Sequence, residues 1–297
     1  MTDSLILVTG ATGRQGGATA RRLLAVGRPV RALVRDPAAP AAAALAAAGA
    51  QLVRGDFDDP AGLPPALDGV TAVFGVPPAL YTPSGTDTAL EVARGRALID
   101  AAAAAGVEQV VFSTVAGAST ASPGMAGKAM IQQYLHERIR LSTVLRPVRF
   151  MTNYLSDGRF ALDGLADGVH RHLFPPDKPM QLIALEDIAE FAALAFAEPE
   201  RFAGRTLELA GDQPTPVEAA AAITAATGIP IRYEQLSEDE AAAVGPEVAQ
   251  TRKRWIAGHR WRADIEALRV IHPGLRTFAD WLTESGAAAI RAHLAPS

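Results

Sequence analysis

Leu5-Ile-Leu-Val-Thr-Gly10-Ala-Thr-Gly13-Arg-Gln-Gly16-Gly17 is the stretch that decides the fold. A short aliphatic run leads straight into glycines spaced G-x-x-G-x-x-G, and the helical stretch Ala18–Val26 follows at once. A pyrophosphate can approach a turn where no Cβ intrudes, and free N–H groups at a helix N-terminus can hold it. The strand before, the helix after and a second strand at Val30–Val34 distinguish this turn from a plain strand-to-helix connection. No Lys-Ser or Lys-Thr follows the glycines, which removes the phosphate loop of ATP- and GTP-binding proteins.

Outward from the turn, the first half alternates two patterns. Strand-like runs fall at Leu5–Thr9, Val30–Val34, Gln51–Arg54, Val70–Val76, Gln109–Ser113 and Thr143–Arg146. Helical stretches lie between them at Ala18–Val26, Ala41–Ala48, Ala89–Ala105 and Lys128–Arg138. The strands are continuously apolar, as they are when helices cover both faces of a parallel sheet, and right-handed crossovers make the α/β sheet doubly wound. Beyond Arg146 the rhythm loosens. The proline-rich Phe174–Pro179 is a loop, Leu185–Ala197 and Val217–Thr227 are helices, Thr206–Ala210 alternates like a strand, and Thr277–His293 reads as one amphipathic helix. The expected division is a nucleotide-binding domain over 1–154 and a smaller mixed α/β region over 155–297, with no clean cut if the 206–210 strand returns to the main sheet.

The 297 residues carry 28 Lys+Arg against 32 Asp+Glu, a net charge of -4, which offers no electrostatic reason for nucleic-acid binding. The Arg252–Trp261 segment is too short and isolated to change this. Cysteine is absent, which excludes disulfides, thiolate nucleophiles and cysteine metal sites. His170 and His172 share a strand face without a nearby third ligand, so no metal is expected. The alanine tract 38–48 is broken by Pro40 and weakly apolar, so no membrane segment is expected either, and the chain reads as cytoplasmic.

The end of the second strand selects the dinucleotide. A carboxylate there suits the ribose 2′-hydroxyl of NAD, whereas this chain has Val34 and then Arg35. A guanidinium grips a 2′-phosphate with paired charge-assisted bonds, and Arg14 is placed to close on it from the glycine turn. NADP(H) is therefore expected over NAD(H), with Asp36 as the NAD carboxylate if the register is displaced by one.

Val8–Gly17, Val34-Arg-Asp-Pro37, Gly55-Asp-Phe-Asp58, Leu145–Tyr154, Gln181–Ala189 and Thr206–Gly211 together resemble the NmrA-like family. These are atypical short-chain dehydrogenase/reductases, which take in NADPH sensors, bacterial quinone reductases and the isoflavone-reductase group. The resemblance implies an NAD(P)-binding Rossmann fold with a C-terminal substrate domain. It implies Gly10, Gly13 and Gly16 at the pyrophosphate, with Thr12, Arg14 and Gln15 of the same turn, and Arg35 at the 2′-phosphate. Asp56 and Phe57 would border the adenine, and Phe74, Gly75 and Val76 the nicotinamide ribose.

Short-chain dehydrogenases pair a serine with Tyr-x-x-x-Lys on one helical face. Ser113 ends the fifth strand and Lys128 opens a helix, but Gly124 stands where the tyrosine belongs. The resemblance therefore leaves Lys128 as a catalytic group or as a cofactor-binding residue only. Tyr81, Phe150, Met151, Asn153 and Tyr154 are candidate substrate residues, the last four because they follow the carboxyl end of the sixth strand. Two functions remain open: an NADPH-dependent reductase of a small, apolar, electron-poor acceptor such as a quinone or enone, and a non-catalytic NADP(H) sensor with a regulatory protein partner. A homodimer is compatible with both.

Overall fold

A computed structural model of the protein describes residues 4–76, 81–82, 85–121, 124–156 and 162–295. The chain divides into two compact units. The first takes in residues up to Thr82, then Thr86–Pro147 and Leu185–Glu208; the second takes in Val148–Ala184 and Leu209 onward.

The first unit holds a seven-stranded sheet formed by β1 Ile6–Val8, β2 Val30–Val34, β3 Gln51–Arg54, β4 Ala72–Gly75, β5 Gln109–Ser113, β6 Leu141–Pro147 and β7 Arg205–Leu209. Their order is β7-β6-β5-β4-β1-β2-β3, and the pairs from β3 to β6 are parallel. The chain first winds outward from β1 to β3 and then resumes at β4 on the other side of β1. That reversal creates the switch point where doubly wound sheets bind their ligands. Val8 lies opposite both Ala32 and Phe74 there. Ile6, Leu7 and Val8 are fully buried, which explains why β1 is uninterruptedly aliphatic.

The flanking helices are α1 Arg14–Ala25, α2 Pro40–Ala47, α3 Thr88–Ala104, α4 Ala126–Arg138 and α5 Leu185–Ala197. α1 packs on α5, with an Arg22–Glu190 ion pair of 2.8 Å between them, and α3 packs on α4. One core cluster joins Leu7, Leu33, Val73, Phe112, Leu98 and Ile131.

The 206–210 segment does return to the main sheet, as edge strand β7 beside β6. The chain therefore leaves the first unit after Pro147 and re-enters it for α5 and β7, instead of dividing once at residue 154.

The second unit is built around small sheets and aromatic packing. Arg149–Phe150 pairs parallel with Leu182–Ile183, and Leu165–Ala166, Val169–His172 and Arg232–Gln235 form a three-stranded sheet. Its core joins Met151, Tyr154, Phe174, Trp255, Phe278 and Trp281. The expected helix over 277–293 is interrupted. Phe278–Trp281 and Ala287–Leu294 are α-helical, but Leu282–Gly286 is a π-turn. A Cβ at Gly286 would lie 2.6 Å from the Trp281 indole. The wider turn thus accommodates the buried ring against the glycine backbone.

Candidate active site

The glycine turn is shaped by contacts that only glycine permits. Gly10 takes a left-handed φ of +58°, and the Gly13 N–H donates to its carbonyl at 2.8 Å. Gly13 caps α1, and no side-chain oxygen covers the first-turn amides. Those amides and the positive helix end are thus presented at the turn. A Cβ at Gly16 would sit 2.5 Å from the Thr9 carbonyl oxygen and closer still to that of Gly10. The helix therefore begins four residues before the expected Ala18, with Gly16 and Gly17 inside it.

Thr9, wholly buried, ties this turn to the end of β4. Its hydroxyl donates to the Phe74 carbonyl at 3.3 Å and accepts from the Val76 N–H at 2.8 Å. Phe74 is buried in the sheet, and a Cβ at Gly75 would meet the Phe112 ring at 2.6 Å.

At the end of β2, Val34 is buried and Arg35 is exposed. The Asp36 carboxylate accepts the Ala38 N–H at 2.9 Å, so it serves its own turn. Arg14 is likewise exposed, as is Thr12. After β3, Asp56 accepts the Asp58 N–H at 3.1 Å, Asp58 pairs with Arg94 at 2.6 Å, and the Phe57 ring enters the core cluster. These residues fit a dinucleotide: a cradle that a Cβ would fill, uncapped helix amides, and an exposed guanidinium beyond the second strand.

The candidate catalytic side chains, and the tyrosine on the helix of Lys128, are already paired. Ser113 is buried at the end of β5 and donates to the Gln15 amide oxygen at 2.6 Å. Lys128, in the first turn of α4, forms an ion pair with Glu91 of α3, and the two side chains are 17% and 2% exposed. The Tyr134 phenol donates to Asp100 at 2.6 Å and accepts from Arg138 at 2.7 Å. Its ring also lies under Arg96 and Arg138, with guanidinium carbons 4.8 and 5.0 Å from its centre. The helix of Lys128 thus has its one tyrosine engaged elsewhere, and Gly124 offers no replacement.

The model of the NmrA-like family matches residues 2–255. The chain belongs to the NmrA-like family. An NAD(P)H azoreductase of Xenophilus azovorans is 34% identical to it, over 80% of this chain and 79% of that protein. The structure of an NADPH-dependent quinone oxidoreductase of Escherichia coli, complexed with NADPH, is 29% identical with a TM-score of 0.73, covering 94% of this chain and 98% of that one. NmrA, a negative transcriptional regulator in complex with NAD, has a TM-score of 0.80 over 98% of both chains at 20% identity, a likeness of fold.

In this NmrA-like chain the candidate substrate residues of the second unit differ in exposure. Met151 and Tyr154 are fully buried in the aromatic core, whereas Phe150 and Asn153 are half-buried. The side chain of Tyr81 lies outside the described residues. Tyr154 packs edge-on to His170 at 4.8 Å, and the buried Arg149 guanidinium lies 5.0 Å from its ring centre. Burial pushes the Tyr154 phenol up. Burial, then the Arg149 charge, holds His170 and His172 well below the usual histidine range. Asp163 stands 3.0 Å from His172, but it is also paired with Arg149, so it does not offset that penalty.

Glu91 and the latch made by Thr9 are absent from the sequence reading. The available signal for Glu91 was an acidic residue on the same helical face as Val92, Gly95, Leu98 and Ile99, all buried. An unpartnered carboxylate there would carry a large desolvation penalty, so its position called for a buried cation.

Proposed function

We propose that this NmrA-like oxidoreductase reduces a small, apolar, electron-poor acceptor, a quinone or enone, and uses NADPH in preference to NADH. The observation that carries the reading is a glycine turn with no room for a Cβ at Gly16 and with uncapped helix amides, in a chain whose candidate acid/base set is reduced to Ser113 and Lys128, each already bonded to another side chain. When bound, NADPH supplies the hydride. The uncapped amides of α1 and the glycines at 10, 13 and 16 would hold the pyrophosphate, Arg35 the 2′-phosphate, and Lys128 the ribose hydroxyls. A quinone suits such a site because addition of hydride leaves a delocalised phenolate that water can protonate, so no protein phenol is required. Phe150 and Asn153 are the two substrate candidates of the second unit with surface to present. The azoreductase and quinone oxidoreductase relatives support a reductase. The regulatory reading has no observation of its own, since the missing tyrosine serves both.

Preference for NADPH is supported by Arg35, exposed and without a bonding partner among the described residues, beside an Asp36 whose carboxylate is engaged in its turn. NADPH oxidation followed at 340 nm against a panel of benzoquinones, naphthoquinones and enones tests the proposal. Turnover well above the uncatalysed rate on at least one acceptor is expected. A protein that binds NADPH but reduces none of them would refute it.

A further inference from the structure

Helices α3 and α4 approach each other unusually closely at two points one turn apart. A Cβ at Gly95 of α3 would lie 2.6 Å from Ile131 of α4, and a Cβ at Gly127 of α4 would lie 2.5 Å from Oε2 of Glu91 on α3. Each pair is offset by four residues from the other, 91 to 95 and 127 to 131, so one face of each helix is interlocked with the other. The side chain of Ile131 fills the gap over Gly95, and the Glu91 carboxylate fills the gap over Gly127. The next residue, Lys128, receives the other carboxylate oxygen as its ion-pair partner. Glu91 Oε2 is buried and has no hydrogen-bond partner.

We propose that Glu91 is a positioning residue for Lys128: lodged over Gly127, its carboxylate fixes the ammonium at one place on α4. A free lysine side chain carries rotamer entropy, which it must surrender on binding a ribose. The ion pair confines that side chain before the cofactor arrives. The carboxylate is itself held by the surrounding helix packing, and the absence of a Cβ at Gly127 is what admits it. Three ammonium hydrogens serve one Glu91 oxygen, which leaves donors for a ligand. This inference deepens the proposed function and rests on Lys128 being a cofactor-binding residue.

The test uses the full chain and two readouts that need no turnover. The first is NADPH affinity by fluorescence titration of wild type, Glu91→Gln, Lys128→Met and the double variant. Glu91→Gln should weaken NADPH about tenfold, and it should have no further effect once Lys128 is methionine. The second is the NMR spectrum of the cofactor-free protein labelled with ε-13C lysine, in which only residues 128, 178 and 253 contribute. The two ε-protons of Lys128 should be inequivalent in wild type and merge in Glu91→Gln. Where Glu91→Gln does not fold, Gly127→Ala replaces it: both charges stay, the carboxylate is displaced, and the same loss of affinity and inequivalence is expected. Unchanged NADPH affinity with only a lower melting temperature would overturn the proposal, as would additive losses in the double variant. Lack of quinone turnover refutes the proposed acceptor class and leaves both readouts intact.

Discussion

Replacing Gly16 by alanine tests the cradle at its tightest point. The added Cβ would stand 2.5 Å from the Thr9 carbonyl oxygen, while side-chain Cβ atoms essentially never approach closer than 3.0 Å. The difference, 3.0 less 2.5, means that α1 must move away from the end of β1 by at least roughly 0.5 Å, and more to clear Gly10. Overpacking of this kind costs about 1–3 kcal/mol. At roughly 2–4 °C per kcal/mol for a domain of this size, the melting temperature should fall by about 2–12 °C. The amides of the first turn of α1 move with the helix. Loss of good geometry in one charge-assisted contact removes about 1.5–3 kcal/mol, a ten- to hundredfold rise in the NADPH dissociation constant. Fluorescence titration and a thermal melt read the two effects separately. Gly62→Ala is the control, because a Cβ there meets only the Gly55 Cα at 3.9 Å. If Gly16→Ala binds NADPH within twofold of wild type and melts unchanged, the close approach has no role in binding.

Arg35→Ala should weaken NADPH about ten- to hundredfold and leave NADH almost untouched; equal losses for both cofactors would remove the 2′-phosphate assignment. Because folding depresses His170 and His172 below the unfolded value near 6.5, their neutral forms are favoured in the fold. Stability is complete above that pH and declines as pH falls through it, by about 1.4 kcal/mol per pH unit for each histidine. Denaturant melts from pH 7.5 to 5 should show that decline, and a His170→Phe variant should show a shallower one; identical slopes would contradict the assignment. Asn153→Ala should alter kcat or KM for the acceptor while NADPH affinity holds, whereas a lower melting temperature with unchanged kinetics would confine Asn153 to packing.

The nucleotide-binding half was legible because its central strands are buried and therefore uniformly apolar, as in Ile6–Val8 and Val110–Phe112. The start of α1 was not, since glycines at 16 and 17 argue against helix by propensity while the packing requires them there. The second unit was poorly legible for another reason. Its strand Val169–His172 buries two histidines, so the apolar signature is absent, and the partner strand Arg232–Gln235 lies far along the chain. The helices Glu238–Val244, Pro246–Ile256 and Ile265–Ile271 are short, and each buries a single side chain: Ala241, Trp255 and Leu268 respectively. At the candidate site, Ser113 and Lys128 could be named from position, but their partners could not. Glu91 is 37 residues from Lys128, and Gln15 is 98 from Ser113, so only the folded sheet brings them together.

The Thr9 latch makes the turn after β1 and the chain leaving β4 a single mechanical piece. The Val76 amide is held by a side chain from a different strand, so its hydrogen-exchange rate reports how often that latch opens. Thr9→Val keeps the shape and cuts the latch, and it should speed exchange at Val76 while sparing amides deep in β1. A site already stiffened in this way loses little mobility when a ligand arrives, so most of the interaction energy remains available as affinity.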